Sequence, residues 1–259
     1  MSEDAQGILL EVAYDGTAFS GWAAQRDART VEETVRGAVL ALDPKAQGPR
    51  GASRTDAGVH AEGQLAAIDA MLRMPPRGWV LTLNQHLPDD VAVRSARVVP
   101  VGFTPRFASR KKRYRYDLLL DKVRHPLFRA RAWRIGYDMQ MERLEREAKT
   151  IVGTHDFFAF RSAGDERKET VRTIHDVRVK TTGRVCSITI EGNAFLYNMV
   201  RILVGTLVDV ARGHLEEGAI RRALASKDRA DAGQTAPPHG LVLEAIDVDV
   251  DPEAERWPL

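Results

Sequence analysis

The stretch NAFLYNMVRILVGTLVDVARG, residues 193–213, predicts a helix buried at the centre of the protein. Between Ala194 and Ala211 its apolar residues cover nearly the whole circumference of a helix, and such a helix is packed on all sides. Arg201 lies in its middle, and an unpaired buried guanidinium costs several kcal/mol. We therefore expect a carboxylate from elsewhere in the fold to meet Arg201.

The rest of the chain interleaves strands with helices. Residues 8–13 predict a strand, and Thr30 with Glu33 forms a capping box that opens an amphipathic helix ending near Leu42. Further helices are predicted near residues 79–84 and 139–152. Strands are predicted at residues 63–70, 91–99, 111–120, 171–180, 184–191 and 240–250. This order predicts an α+β protein of two related lobes, residues 1–104 and 105–259.

Composition excludes several classes of protein. At 259 residues and 44% hydrophobic content the chain has enough apolar residues for a core. No apolar run approaches the roughly 20 residues that span a bilayer, and MSEDAQG is unlike a signal peptide, so we expect a cytoplasmic protein with no membrane partner. The single cysteine, Cys186, excludes an internal disulfide and is expected to be a small core residue.

Positive charge is concentrated in one segment. The net charge is only +2, yet residues 94–134 contain thirteen Lys or Arg against two Asp. An asymmetry of this kind is typical of a protein that contacts a polyanion.

The run RFASRKKRYRY, residues 106–116, places six of these cations beside aromatic rings. Cations that meet phosphates beside rings that stack on bases suit a nucleic acid. Strand alternation puts Tyr114 and Tyr116 on one face and Arg113 and Arg115 on the other. A solvated strand whose tyrosines enter the core is the alternative interpretation, and the two are compatible.

The loop ASRTDAGVH, residues 52–60, combines a cation and an anion. Arg54 and Asp56 project two residues apart, and Gly58 permits a sharp turn. Asp and Gly are also the residues that ordinary turns select. Asp56 is one candidate for the carboxylate that meets Arg201, and another acid is the alternative. His60 receives no role from the sequence.

Familiar cofactor and metal motifs are missing from the sequence. It contains no GxxxxGK[ST], GxGxxG or GxSxG pattern, and its seven histidines show no HExxH spacing. The interpretation that remains is a reaction with no cofactor and no metal, in which one aspartate does the chemistry.

Several segments in order are similar to one family. YDGTAFSGW (14–22), RTDAGVHAEGQ (54–64), RFASRKKRYRY, NAFLYNMVRILVG and APPHGLVL (236–243) resemble the motifs of the bacterial tRNA pseudouridine synthase A family over essentially the whole chain. The resemblance implies a pseudouridine synthase fold, with mainly antiparallel sheets flanked by helices and a basic active-site cleft. It also implies a homodimer that isomerises uridine to pseudouridine at positions 38 to 40 of the tRNA anticodon stem-loop, without cofactor or metal.

The same resemblance assigns roles to individual residues. Asp56 corresponds to the catalytic aspartate, and Arg201 to its partner. Arg54 corresponds to the residue that replaces the flipped nucleotide in the stem, and Tyr114 to the ring that stacks on the uracil. The residues expected to contact RNA are Arg54, Arg106, Arg110, Lys111, Lys112, Arg113 and Arg115.

The chain also departs from the family pattern. Ser53 stands where the family usually has Gly, and Ala23 and Ala24 separate the motif tryptophan from Gln25. His86 and Val242 replace a usual Asn and an aromatic residue. A non-catalytic RNA-binding module, a hydrolase that uses Asp56, and a synthase for another RNA position are the rival interpretations.

Overall fold

The computed structural model describes residues 5–165 and 167–258, which divide into two compact units. The first unit contains the described residues up to Arg110 and those from Leu243 onward. The second unit is Lys111–Val242. The chain thus leaves the first unit after Arg110 and returns to it at Leu243, whereas the sequence suggested a single boundary between residues 104 and 105.

The elements follow one another as strands and helices in an α+β order. They are β1 (Gln6–Tyr14), α1 (Val31–Leu42), β2 (Gln47–Gly51), β3 (His60–Ala70), α2 (Pro76–Leu83), β4 (Val91–Val99), α3 (Pro105–Ala108), β5 (Ser109–Leu120), β6 (Trp133–Ile135), α4 (Met141–Lys149), β7 (Gly153–Asp156), β8 (Val171–Thr182), β9 (Val185–Gly192), α5 (Met199–Ala211), α6 (Ala219–Ser226), β10 (Leu241–Val248) and β11 (Arg256–Trp257).

Within each unit the strands pair mainly in antiparallel fashion. In the first unit the strand order is β11-β4-β1-β3-β10, with β2 paired to β3. In the second unit the order is β5-β9-β8-β7, and the short β6 pairs with β5 in parallel. The predicted α+β class with antiparallel sheets and flanking helices is confirmed.

The predicted start of α1 is also confirmed. Thr30 is the N-cap residue, and its Oγ1 accepts a hydrogen bond from the Glu33 N–H at 3.4 Å. The helix buries Val31, Val35 and Val39 on one face, as its apolar spacing predicted. Cys186 is fully buried in β9, and burial raises the pKa of its thiol.

The prediction for the central helix was wrong at its N-terminal end. Helix α5 begins at Met199 rather than Ala194, because Asn198 adopts a left-handed backbone with φ 60° that a continuous helix cannot contain. Arg201 therefore lies in the first turn of α5 and is half-buried rather than buried. The other residues of α5 are buried, which confirms its central position in the second unit.

The structure contains no described helix long and apolar enough to cross a membrane.

Replacing Gly205 with Ala tests the packing of α5. A Cβ atom there would lie 1.8 Å from the Gln234 carbonyl oxygen, so the helix or the overlying segment must move. We expect Gly205→Ala to lower the free energy of unfolding by about 1–3 kcal/mol, measured by urea titration. Gly37 lies on the exposed side of α1 with open space around it, and Gly37→Ala should instead stabilise by about 0.5–1 kcal/mol. Equal effects of the two substitutions would contradict this packing.

Candidate active site

The loop of residues 52–59 joins β2 to β3 and is held by the segment 14–22 of the same unit. The Trp22 N–H donates to the Thr55 carbonyl at 3.1 Å, and the Gly58 N–H donates to the Phe19 carbonyl at 3.2 Å. The Tyr14 hydroxyl lies 2.7 Å from Thr55 Oγ1. Asp56 stands between two anchored residues, so its position depends on segment 14–22.

Glycines allow the two segments to approach this closely. A Cβ atom on Gly16 would lie 2.0 Å from the Val59 carbonyl oxygen. Gly21 has φ 99°, and a Cβ atom there would lie 2.6 Å from the Thr55 carbonyl oxygen. Gly58 has φ 77°, which confirms the predicted sharp turn. Gly16 and Gly21 have no room for a side chain, because the backbone of segment 14–22 packs directly against the backbone of the loop.

The other end of the loop is held by a buried glutamine that the sequence did not single out. Gln64 Nε2 donates to the Ser53 carbonyl at 2.6 Å, and Gln64 Oε1 accepts from the Ser53 N–H at 3.2 Å. Ser53 is buried and does not have a positive φ. The loop therefore accommodates serine where the family usually has glycine.

The loop presents its charged side chains outward. Arg54 is exposed and Asp56 is half-buried, whereas Thr55 between them is buried. Arg54 and Asp56 thus lie two residues apart on one turn that is anchored by hydrogen bonds at Thr55 and Gly58.

The two tyrosines of β5 lie in the second unit and point into it. Tyr114 and Tyr116 are buried, and Tyr114 packs edge-to-face on Phe195 with ring centroids 5.1 Å apart. The Tyr116 hydroxyl donates to the Pro237 carbonyl at 2.7 Å. Burial raises the pKa of the Tyr116 phenol, against the opposing effect of the nearby Arg201 charge. The expected alternation is confirmed, because Arg113 and Arg115 are half-buried at the intervening positions.

The basic run is more neutralised than its sequence suggests. Glu191 of β9 stands opposite Arg113 and pairs with both Arg113 (2.9 Å) and Lys111 (3.3 Å). Hydrogen bonds from these two cations lower the pKa of the Glu191 carboxyl below its ordinary value, although burial opposes them. Two further ion pairs join Arg115 to Asp117 (3.1 Å) and Arg110 to Asp249 (2.6 Å). Local sequence could not show the pairs with Glu191 and Asp249, because these two acids lie far away along the chain.

Two residues at the start of the run remain at the surface. Arg106 is exposed on the single turn α3, and the adjacent Phe107 is 86% exposed. An isolated exposed phenylalanine beside a cation is suited to stacking on a base.

Arg201 is oriented by neutral groups of its own unit. Its Nε donates to the Ala236 carbonyl at 2.7 Å, and its Nη1 donates to Asn198 Oδ1 at 2.6 Å. The amide of Asn198 is held in turn, because its Nδ2 donates to Ser162 Oγ at 2.7 Å. The left-handed Asn198 thus both ends the preceding loop and fixes the arginine.

Asp165 stabilises the segment before α5. Its carboxylate accepts hydrogen bonds from the Tyr197 N–H at 3.0 Å and from Arg167 Nε at 2.7 Å. Burial favours the neutral acid, but these hydrogen bonds outweigh it and lower the pKa of Asp165 from 3.8 to about 2. The charged side chain is therefore part of the frame around Asn198 and Arg201.

Among residues 5–165 and 167–258, no three His, Cys, Asp or Glu side chains are grouped as ligands for a metal ion.

Comparison with known proteins gives one consistent result. A family model described as tRNA pseudouridine synthase matches residues 148–249. The tRNA pseudouridine synthase A of Thermoanaerobacter sp. (strain X514) is 40% identical over 241 residues, which is 93% of this chain and 99% of that protein. The proteins of the same name from Citrifermentans bemidjiense and Myxococcus xanthus are each 40% identical, over 93% and 92% of this chain and 97% and 91% of their own lengths.

Replacing Gly16 with Ala tests the contact between the two segments. The new methyl group would overlap the Val59 carbonyl, so we expect the loop to loosen. Hydrogen–deuterium exchange of residues 52–60 should become faster, while exchange in Lys111–Val242 stays unchanged. Gly37→Ala serves as the control and should leave the loop protected. Unchanged exchange of residues 52–60 in Gly16→Ala would contradict the inference that segment 14–22 holds the loop in place.

Proposed function

Because the chain belongs to the tRNA pseudouridine synthase A family and isomerises uridine to pseudouridine in tRNA, we propose that Asp56 is its catalytic residue. We further propose that its targets are uridines 38 to 40 of the anticodon stem-loop. The observation that carries the first proposal is the loop of residues 52–59, which presents a half-buried carboxylate from a turn anchored on both sides.

The reaction requires few catalytic groups. Isomerisation breaks the C1′–N1 glycosidic bond, turns the uracil and joins C5 to C1′, after which the proton on C5 is lost and N1 gains one. Atoms and electrons balance without redox or phosphoryl chemistry. Carboxylates are ionised at neutral pH in ordinary surroundings, so Asp56 can attack C1′ or remove the C2′ proton to form a glycal. Both routes use the same residue, and both are retained in the proposal.

Access to the uridine requires the base to leave its stack. Flipping a nucleotide costs a few kcal/mol, which contacts with the displaced strand and the base must offset. Arg54 is exposed two residues from Asp56 and is suited to fill the space that the flipped nucleotide leaves. In the proposed role of Tyr114 its ring stacks on the uracil, and its packing on Phe195 would hold it in place.

Arg201 is proposed as the partner of Asp56. Asn198 and the Ala236 carbonyl fix the orientation of the guanidinium, and an ion pair with Asp56 would stabilise the ionised carboxylate. Removing Arg201 is therefore expected to impair the chemical step more than tRNA binding.

The remaining cations are proposed to contact the RNA backbone. They are Arg106, Arg110, Lys111, Lys112, Arg113 and Arg115. For Arg110, Lys111, Arg113 and Arg115, phosphates would compete with Asp249, Glu191 and Asp117 for the same donors. Among the contacts described, Arg106 has no ion pair that a phosphate would have to displace, and Phe107 is exposed. We therefore expect these two residues to contribute most to RNA binding. The homodimer expected from the resemblance and the cytoplasmic location expected from the sequence belong to the same proposal.

The substitution Asp56→Asn tests the catalytic assignment. It keeps the shape of the side chain and removes the nucleophile, so pseudouridine formation should fall by about 10³-fold or more while tRNA binding persists. Product is measured by mass spectrometry of digested tRNA, and binding by filter retention. Asp89→Asn, at an exposed position of the same unit, is the matched control.

Three outcomes would separate the rivals. Product at the wild-type rate from Asp56→Asn would refute the proposed role of Asp56. Release of free uracil by the wild-type protein would indicate a hydrolase. Binding of tRNA by the wild-type protein without any pseudouridine product would indicate a non-catalytic RNA-binding module.

Mapping the modified positions tests the proposed target. Unmodified bulk tRNA treated with the protein should gain pseudouridine at positions 38 to 40 and not in other stems, as the resemblance of its motifs to the family implies. Carbodiimide labelling followed by primer extension locates each product. Modification confined to another stem would overturn the positional proposal and leave the isomerisation itself intact.

A further inference from the structure

His60 is a buried histidine that the reaction described above does not use. It is the first residue of β3, directly after the loop that carries Asp56, and only 6% of it is exposed. Its Nδ1 accepts a hydrogen bond from the Gly16 N–H at 3.1 Å. The imidazole therefore contacts the segment against which the loop is packed.

The proton on the imidazole follows from its neighbours. Nδ1 also lies 3.2 Å from Asp15 Oδ1, and it cannot accept from Gly16 and donate to Asp15 at the same time. The Gly16 N–H can only donate, whereas Asp15 Oδ1 already accepts from the N–H (3.0 Å) and the hydroxyl (2.5 Å) of Thr17. We assign Nδ1 as the acceptor and place the ring proton on Nε2.

Among the described residues, the hydrogen bond from the Gly16 N–H to Nδ1 is the one that holds the imidazole in place. Buried Nε2 has no hydrogen-bond partner among the described residues, so orientation of the imidazole depends on Nδ1. Gly16 in turn approaches the Val59 carbonyl so closely that no side chain fits between them. Gly16 is thus held by consecutive residues, Val59 through contact and His60 through a hydrogen bond.

The hydrogen bond completes a frame around Asp56. The Trp22 N–H and the Phe19 carbonyl hold the middle of the loop, at Thr55 and Gly58. Gly16 and His60 hold its C-terminal end, where the loop enters β3. Without the Nδ1 acceptor, the buried Gly16 N–H would lose its partner, and the turn of residues 16–18 could shift relative to the loop.

We propose that His60 is a positioning residue of the isomerisation: its Nδ1 accepts the hydrogen bond of the Gly16 N–H, fixes Gly16 and so sets the position of the Asp56 carboxylate. This inference rests on the catalytic role proposed for Asp56. It assigns His60 no contact with the substrate.

Three substitutions at position 60 test the atom rather than the residue. In His60→Asn the amide Oδ1 stands near the place of Nδ1 and can accept from Gly16. In His60→Gln the oxygen lies nearer the place of Nε2, and in His60→Leu there is no acceptor. We expect His60→Leu and His60→Gln to slow the single-turnover rate at saturating tRNA by about 10²-fold, with the dissociation constant for tRNA unchanged. His60→Asn should recover most of that rate.

Hydrogen–deuterium exchange provides a readout that does not depend on activity. Peptides containing Gly16 should exchange faster in His60→Leu and His60→Gln than in His60→Asn. His86→Leu, at an exposed histidine of the same unit, is the control and should match the wild type in both assays. If His60→Leu does not fold, the comparison of Asn with Gln carries the test alone.

Clear results would overturn the proposal. These are an Asn variant as slow as the Gln variant, or a His60→Leu protein that keeps the wild-type rate. Loss that falls on tRNA binding rather than on the single-turnover rate would also overturn it. If Asp56→Asn retains activity, the catalytic proposal fails instead, while the exchange comparison still shows whether Nδ1 holds Gly16.

Discussion

Contact between two pieces of backbone is the constraint on which the candidate site depends. Residues 14–22 and 52–59 pack so closely that Gly16 and Gly21 have no room for a side chain. Close approach brings the Trp22 N–H and the Phe19 carbonyl within hydrogen-bond distance of the loop, and Gln64 of β3 holds its other end at Ser53. The turn that carries Arg54 and Asp56 is therefore anchored to the first unit by hydrogen bonds and close contacts, which is what positioning a carboxylate requires.

In the second unit, polar side chains rather than close backbone contacts hold Arg201 in place. Asp165 and Ser162 hold the backbone and amide around Tyr197 and Asn198, and Asn198 orients Arg201 at the start of α5. Because its backbone is left-handed, Asn198 ends the loop before α5, and its side chain accepts a hydrogen bond from Arg201 in the first turn of that helix. Both units thus fix their proposed catalytic residues through neighbours that do not react.

Sequence patterns predicted what is local and missed what depends on distant residues. Period-two alternation located β4 and the faces of Tyr114 and Tyr116, and the Thr30 capping box located the start of α1, because each signal lies within one element. The start of α5 was misplaced because Phe195 and Leu196 fit an apolar helix and nothing local showed the left-handed Asn198. Gln64 and the Gly16–His60 hydrogen bond were not predicted, since both partners are far apart in the sequence. The same is true of Glu191, whose pairing with Arg113 reduces the charge that the composition suggested.

A comparison of loop exchange with catalytic rate would test the central claim most directly. The substitutions Tyr14→Phe and Gly16→Ala are expected to loosen residues 52–59 at two different points, Thr55 and Val59, and both leave the Asp56 side chain itself unchanged. For each variant, hydrogen–deuterium exchange of the loop and the single-turnover rate of pseudouridine formation on saturating tRNA would be measured on the same preparation. Our account predicts that the rate falls in the order in which loop exchange rises. A loop that exchanges much faster while the rate stays at the wild-type value would contradict it.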